Sequence, residues 1–99
     1  MNAAQRKHAM SLIARYNRKL EATFKAEGLS YRPEVDGIVL AHESWADGGI
    51  ALSAENGCSG LDYYEEFGRS GFITFVEENS STLYVEWINP GVAALYPIG

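Results

Sequence analysis

The sequence predicts an α+β fold in which an N-terminal amphipathic helix packs on an antiparallel β-sheet of four to five strands, laid out as a meander. Three observations predict it. Apolar residues recur with a helical period over the first quarter of the chain, and with a period of two from Asp36 onward. Gly28 divides the two regimes. The 99 residues are 46% hydrophobic and 21% charged, the composition of one folded domain spanning residues 1–99 with a core of its own.

The helix is expected over Ala3 to Glu27, with Gly28 as its C′ residue. At about 100° per residue, Ala9, Met10, Ile13, Tyr16, Leu20 and Phe24 fall in one arc. Lys7, Arg15, Arg18, Lys19 and Lys25 gather on the opposite side. So long an amphipathic helix needs a sheet or another helix to cover its apolar stripe.

The sheet is expected over about residues 36–97. Ile38, Leu40 and His42 alternate with Val39 and Ala41, and the pattern resumes at Ile50, Leu52 and Ala54 after Asp47-Gly48-Gly49. A three-residue loop there puts Leu40, His42, Ser44, Ile50, Leu52 and Ala54 on one face, with Gly49 supplying the positive φ. Ser59 to Phe67 reads two ways. Leu61, Tyr63, Glu65 and Phe67 alternate like a strand, whereas Ser59-Gly60-Leu61-Asp62 fits a capping box and Gly68 would end a short helix. The three aromatics favour the strand. A second hairpin joins Phe72 to Glu77 with Thr82 to Ile88, Glu77 opposite Thr82, so that Phe72, Thr74, Val76, Leu83, Val85 and Trp87 share one face. Asn89-Pro90-Gly91 breaks the chain, and Val92 to Pro97 forms a final short strand or turn.

The net charge of −5 conceals a division. Residues 1–32 carry seven Lys and Arg against two acids, a net +5; residues 33–99 carry Arg69 alone against eleven acids, a net −10. The acidic balance argues against nucleic acid as a partner, because that binding runs on phosphate neutralisation. The basic helix face keeps a nucleic-acid binder as an alternative, without interleaved aromatics or a recognised motif to support it. One cysteine, Cys58, cannot form an internal disulfide. The longest apolar run is the five residues Val92 to Tyr96, too short to span a bilayer, and no secretory signal is read, so a cytoplasmic location is the expectation.

Catalytic and metal motifs are sparse. His42-Glu43-Ser44-Trp45-Ala46 opens like the zinc-protease pattern but has Ala46 at the second histidine. His8, His42 and Cys58 are too few and too scattered for a zinc site, and no phosphate loop occurs, so neither metal nor cofactor is expected. Glu65-Glu66 and Glu77-Glu78, adjacent on strands, would point to opposite faces and make no acid/base dyad. Gly57-Cys58-Ser59-Gly60-Leu61-Asp62-Tyr63-Tyr64 locally resembles the nucleophile segment of the NlpC/P60 cysteine peptidases, whose Cys-Ser-Gly-Leu opens a helix. The resemblance implies a cysteine hydrolase with Cys58 as nucleophile beside a histidine base. It covers about eight residues, Gly57 stands where an Asp is usual, and no histidine follows Cys58, so His42 could serve only in a permuted arrangement.

The second face of the Phe72–Ile88 hairpin is the preferred functional reading. With the helix on the Phe72/Val76 side, Ile73, Phe75, Glu77, Tyr84 and Glu86 look outward together: apolar area ringed by carboxylates, suited to a basic protein partner. The expectation is a non-enzymatic interaction or inhibitor protein, on the plan of phage anti-defence proteins or nuclease-immunity proteins that occlude a groove or mimic nucleic acid. A homo-oligomer joined through the same face is equally compatible.

Overall fold

Helix α1 (Ala3–Ala26) is bounded by local chemistry at both ends. Asn2 Oδ1 accepts the Gln5 N–H and Gln5 Oε1 accepts the Asn2 N–H, each at 2.8 Å, closing a capping box. At the other end Gly28 has φ +74°, its N–H donates to the Lys25 carbonyl, and the Leu29 N–H donates to the Phe24 carbonyl. That pair of bonds is a Schellman motif, which needs the left-handed conformation glycine adopts without strain. The computed structural model describes residues 1–55, 60–64 and 71–99.

The buried stripe of α1 is Ala9, Leu12, Ile13 and Tyr16. It is rotated from the expected arc: Met10 is exposed and Leu12 is fully buried. A second helix causes the shift by packing against the Leu12/Tyr16 flank. Gly71–Asn79 is this helix, α3, where the alternating pattern had suggested a strand over Phe72 to Glu77. Its sequence satisfies both periods, because Phe72, Phe75 and Val76 lie one turn apart on a helix as readily as Phe72 and Val76 alternate on a strand. Thr74 decides between them. A strand would bury it with Phe72 and Val76; on the helix it is exposed, while both neighbours are fully buried. The Tyr16 ring meets Phe72 edge-on at 5.3 Å and Phe75 at 5.2 Å, filling the seam between the helices.

A short helix α2 (Pro33–Asp36), opened by Pro33, leads to strand β1 (Val39–Leu40). Asn17 on α1 holds this entry: its Oδ1 accepts the Ile38 N–H at 2.7 Å and its Nδ2 donates to the Ile38 carbonyl at 3.2 Å. The side-chain amide thus pairs with backbone as a neighbouring strand would. β1 pairs with β2 (Ile50–Ser53), Leu40 opposite Leu52, and then leaves the sheet. The expected tight hairpin is a nine-residue connection, 41–49, containing a 3-10 turn at Glu43–Trp45, so His42 and Ser44 lie outside the ladder. Gly48, not Gly49, takes the positive φ there.

Strands β3 (Leu83–Asn89) and β4 (Val92–Pro97) form the hairpin turned by Pro90-Gly91. The sheet order is β1-β2-β4-β3, antiparallel throughout. It departs from a meander in one step: β3 lies beyond β4, and α3 bridges β2 to β3 in a split β-α-β unit. Four strands, not five, occur among the described residues. Within Ser59 to Phe67, residues 60–64 are turn and irregular chain; the remainder of that ambiguous segment lies outside the described residues. The helices cover one face, where Leu52, Leu83, Ala93 and Leu95 meet Leu12, Phe72 and Val76. No described helix is long and apolar enough to cross a membrane.

Three substitutions read this packing. Phe72→Ala should cost about 3–5 kcal/mol in denaturant unfolding, while Thr74→Ala, harmless on an exposed helix face, should stay within about 0.5 kcal/mol. Asn17→Ala, which strands the Ile38 backbone groups, should cost about 1–3 kcal/mol by the same measurement.

Candidate partner-binding face

Among the described residues no α-helix covers the other face of the sheet. Register puts Tyr84 opposite Tyr96, Glu86 opposite Ala94, and Ala94 opposite Ala51 on that side. The two alanines leave a shallow floor into which the 41–49 connection settles. Ala46, at the end of its 3-10 turn, is 2% exposed against Ala51, Val92 and Ala94. His42 fixes the turn, its Nδ1 accepting the Ser44 N–H at 3.2 Å with the Ser44 hydroxyl at 2.8 Å. Glycine at position 49 is a packing requirement, because a Cβ there would strike the Leu95 carbonyl oxygen and the Tyr96 ring.

The connection therefore divides the face. On one side lie Tyr84, Tyr96, Glu86 and Asp47, the two rings 5.8 Å apart and inclined by 34°. On the other, Trp45 overhangs a recess lined by Val39, Ser53, Glu55, Asn89 and Val92. Trp45 is 53% exposed and Tyr84 40%, more than packing alone leaves to large rings of a core. Every described Lys and Arg lies on α1 or just before α2, so the sheet's open side carries Glu43, Asp47, Glu55 and Glu86 without a neighbouring basic side chain from its own strands and loop. The division of charge between the two layers is incomplete: Glu77 and Glu78 lie on α3, Arg6 lines a recess with Glu43, and the Met1 amine donates to the Gly48 carbonyl at 3.2 Å.

The five residues expected on one surface separate. Tyr84 and Glu86 are on the open face. Ile73, Phe75 and Glu77 are on α3: Ile73 is buried, and Phe75 is half-buried beneath two cations, Arg15 at 5.6 Å and Lys19 at 5.8 Å from its ring centre. Glu77 is exposed on the same helix. Sequence reasoning missed three members of the face. Tyr96 had a signal, since period two from Val92 places it with Ala94; Trp45 and Asp47 had none, because the connection that carries them has no period.

Other candidate chemistry is thinner. His8 Nε2 lies 3.0 Å from Ser80 Oγ, tying α1 to the start of β3. No three-residue metal cluster occurs among the described residues. Cys58, the nucleophile implied by the local peptidase resemblance, lies outside them. Of the basic helix face, Arg15 and Lys19 are engaged on Phe75, and Arg15 also donates to Asn79 Oδ1 at 3.2 Å.

The acidic surroundings have a titration signature. The Tyr96 hydroxyl is pushed above the ordinary tyrosine value of 10.0, first by burial, then by Glu86, Tyr84 and Asp47, each of which opposes a phenolate. A phenol with a raised folded pKa keeps its proton longer folded than unfolded. Its contribution to stability is complete below the unfolded value and is lost as pH rises through the folded one. The Cζ resonance of Tyr96, followed by NMR through alkaline pH, should have its midpoint above 10.0, and Glu86→Gln should lower that midpoint.

The chain matches no known protein family, curated protein or solved structure, so the reading of this face rests on its own residues.

Proposed function

We propose that this protein is a non-catalytic binding module whose open sheet face receives a basic segment of another protein. One observation carries the reading: Tyr84, Tyr96, Glu86 and Asp47 converge on a face that no described α-helix covers and to which no described basic residue of the sheet or its connection contributes. Tyrosine and tryptophan give large contact area at low entropic cost and accept cations over their rings. Carboxylates set beside them discriminate Lys and Arg from neutral partners and accelerate encounter. A basic surface that ordinarily holds nucleic acid suits this chemistry, and covering it would make the module an inhibitor by occlusion.

The test uses a hexa-arginine peptide against a hexa-glutamate control, read by amide shifts of the labelled protein. Shifts should concentrate at residues 45–47, 84–86 and 94–96, and should fade as salt screens the charges. Joint Asp47→Lys and Glu86→Lys substitution should weaken binding at least ~10-fold. Shifts confined to other surfaces, or equal affinity in the double variant, would overturn the reading.

A further inference from the structure

The recess beneath Trp45 has a composition of its own. Its floor is a row of paired residues running across three strands: Val39 stands opposite Ser53, and Ser53 opposite Val92. Residues opposite one another share a face, so all three side chains belong to the open side. Asn89 joins them through the register irregularity between Trp87 and Asn89. Period two from Tyr84 and Glu86 would send Asn89 to the helix-covered side; the irregularity re-aims it and sets it opposite Val92.

The walls are fixed by contacts of their own. The Trp45 backbone N–H donates to the His42 carbonyl at 3.1 Å, and the next residue, Ala46, is packed against Ala51, Val92 and Ala94. The indole is therefore carried by an anchored turn although it is 53% exposed. Glu55 follows β2 and lies against the β3–β4 turn. The Ala54 N–H donates to the Gly91 carbonyl at 2.8 Å, and a Cβ on Gly91 would stand 3.1 Å from Glu55 Cγ, 3.7 Å from Glu55 Oε1 and 3.4 Å from Asn89 Oδ1. Asn89 Oδ1 is held there by the Gly91 N–H at 2.8 Å. A carboxylate oxygen and a carboxamide oxygen thus come together over Gly91, in the lining of a recess whose other wall is an indole.

Resting on the binding reading above, we propose that this recess holds one arginine side chain of the basic partner, its stem on Val39 and Val92, its guanidinium against the Trp45 ring and paired with Glu55. The volume, about 290 Å³, is small for a drug-sized ligand and suits a single side chain. The lining also selects among cations. A guanidinium is planar, stacks on an indole and meets a carboxylate through two parallel N–H bonds. An ammonium is a strongly hydrated point charge and gains less from both groups. A quaternary ammonium calls for a cage of rings, whereas the described lining offers one indole.

Nα-acetylarginine methylamide tests this against its lysine and citrulline analogues, with binding read from the Trp45 indole N–H and the amides of Ser53, Glu55 and Asn89. The arginine probe should bind at least ~5-fold more tightly than the lysine probe, and the citrulline probe, alike in shape but neutral, should leave these resonances unmoved. Trp45→Ala and Glu55→Gln should each weaken the arginine probe about threefold or more, in proteins whose remaining spectrum shows the fold intact. Equal binding of arginine and lysine would overturn the guanidinium site. Absence of shifts with the arginine probe, while hexa-arginine still shifts residues 84–86 and 94–96, overturns the recess and leaves the acidic face standing. If neither the arginine probe nor hexa-arginine binds, both fall. A concentration-dependent dimer in sedimentation, lost in Trp45→Ala, would overturn a separate partner in favour of a second copy.

Discussion

The placement of β4 is the constraint on which the rest of the structure depends. It lies between β2 and β3, and each of its residues serves one face: Ala93 and Leu95 enter the helix-covered core, while Ala94 and Tyr96 build the open side. Being last in the chain, it joins two otherwise separate hairpin arms through pairings distant in sequence, such as Ile50 with Leu95. The two small side chains at positions 93 and 94 also set how closely layers approach. Ala93 admits the core side chains from within, and Ala94 lets Ala46 descend from outside. A larger residue at either place would lift a layer away, because interiors at this density have little room to adjust.

Legibility in the sequence followed the range of the interactions. Helix α1 could be read because its capping glycine and its period are local, and because twenty-four residues of pattern leave little ambiguity. Even so, its rotation could not be read, since Leu12 is buried in a core that α3 shares with the sheet. The nine residues of α3 illustrate a true degeneracy. Phe72, Ile73, Phe75 and Val76 offer β-branched and aromatic side chains with both periods, and the deciding fact is the groove between α1 and the sheet, which no local pattern encodes. Reading α3 as a strand gives β3 the wrong partner, although the Asn89-Pro90-Gly91 break and the final strand are legible. The 41–49 connection was opaque for another reason: it is held by His42 capping and by alanines of two strands, Ala51 just after it and Ala94 far along the chain.

The candidate face shows the same division between local and distant information. Tyr84 and Glu86 were identified on the right side of their strand because period two needs only the strand itself. Ile73 and Phe75 were joined to them by a pairing that does not form. The side chains that complete the face instead, Tyr96, Asp47 and Trp45, come from β4 and from the connection, and only tertiary structure brings them beside Tyr84.

Charge then acquires a role that net charge alone does not express. The helical layer holds the cations and spends part of them on itself, with Arg15 and Lys19 lying over Phe75. On the open side of the sheet Glu86 and Asp47 act on Tyr96 by raising the cost of a phenolate, which is repulsion and not pairing. An arrangement that stabilised the fold alone would turn cations toward those acids. On the binding reading proposed above, acids and exposed rings left together on one face favour a complex with a basic partner more than they stabilise the free protein.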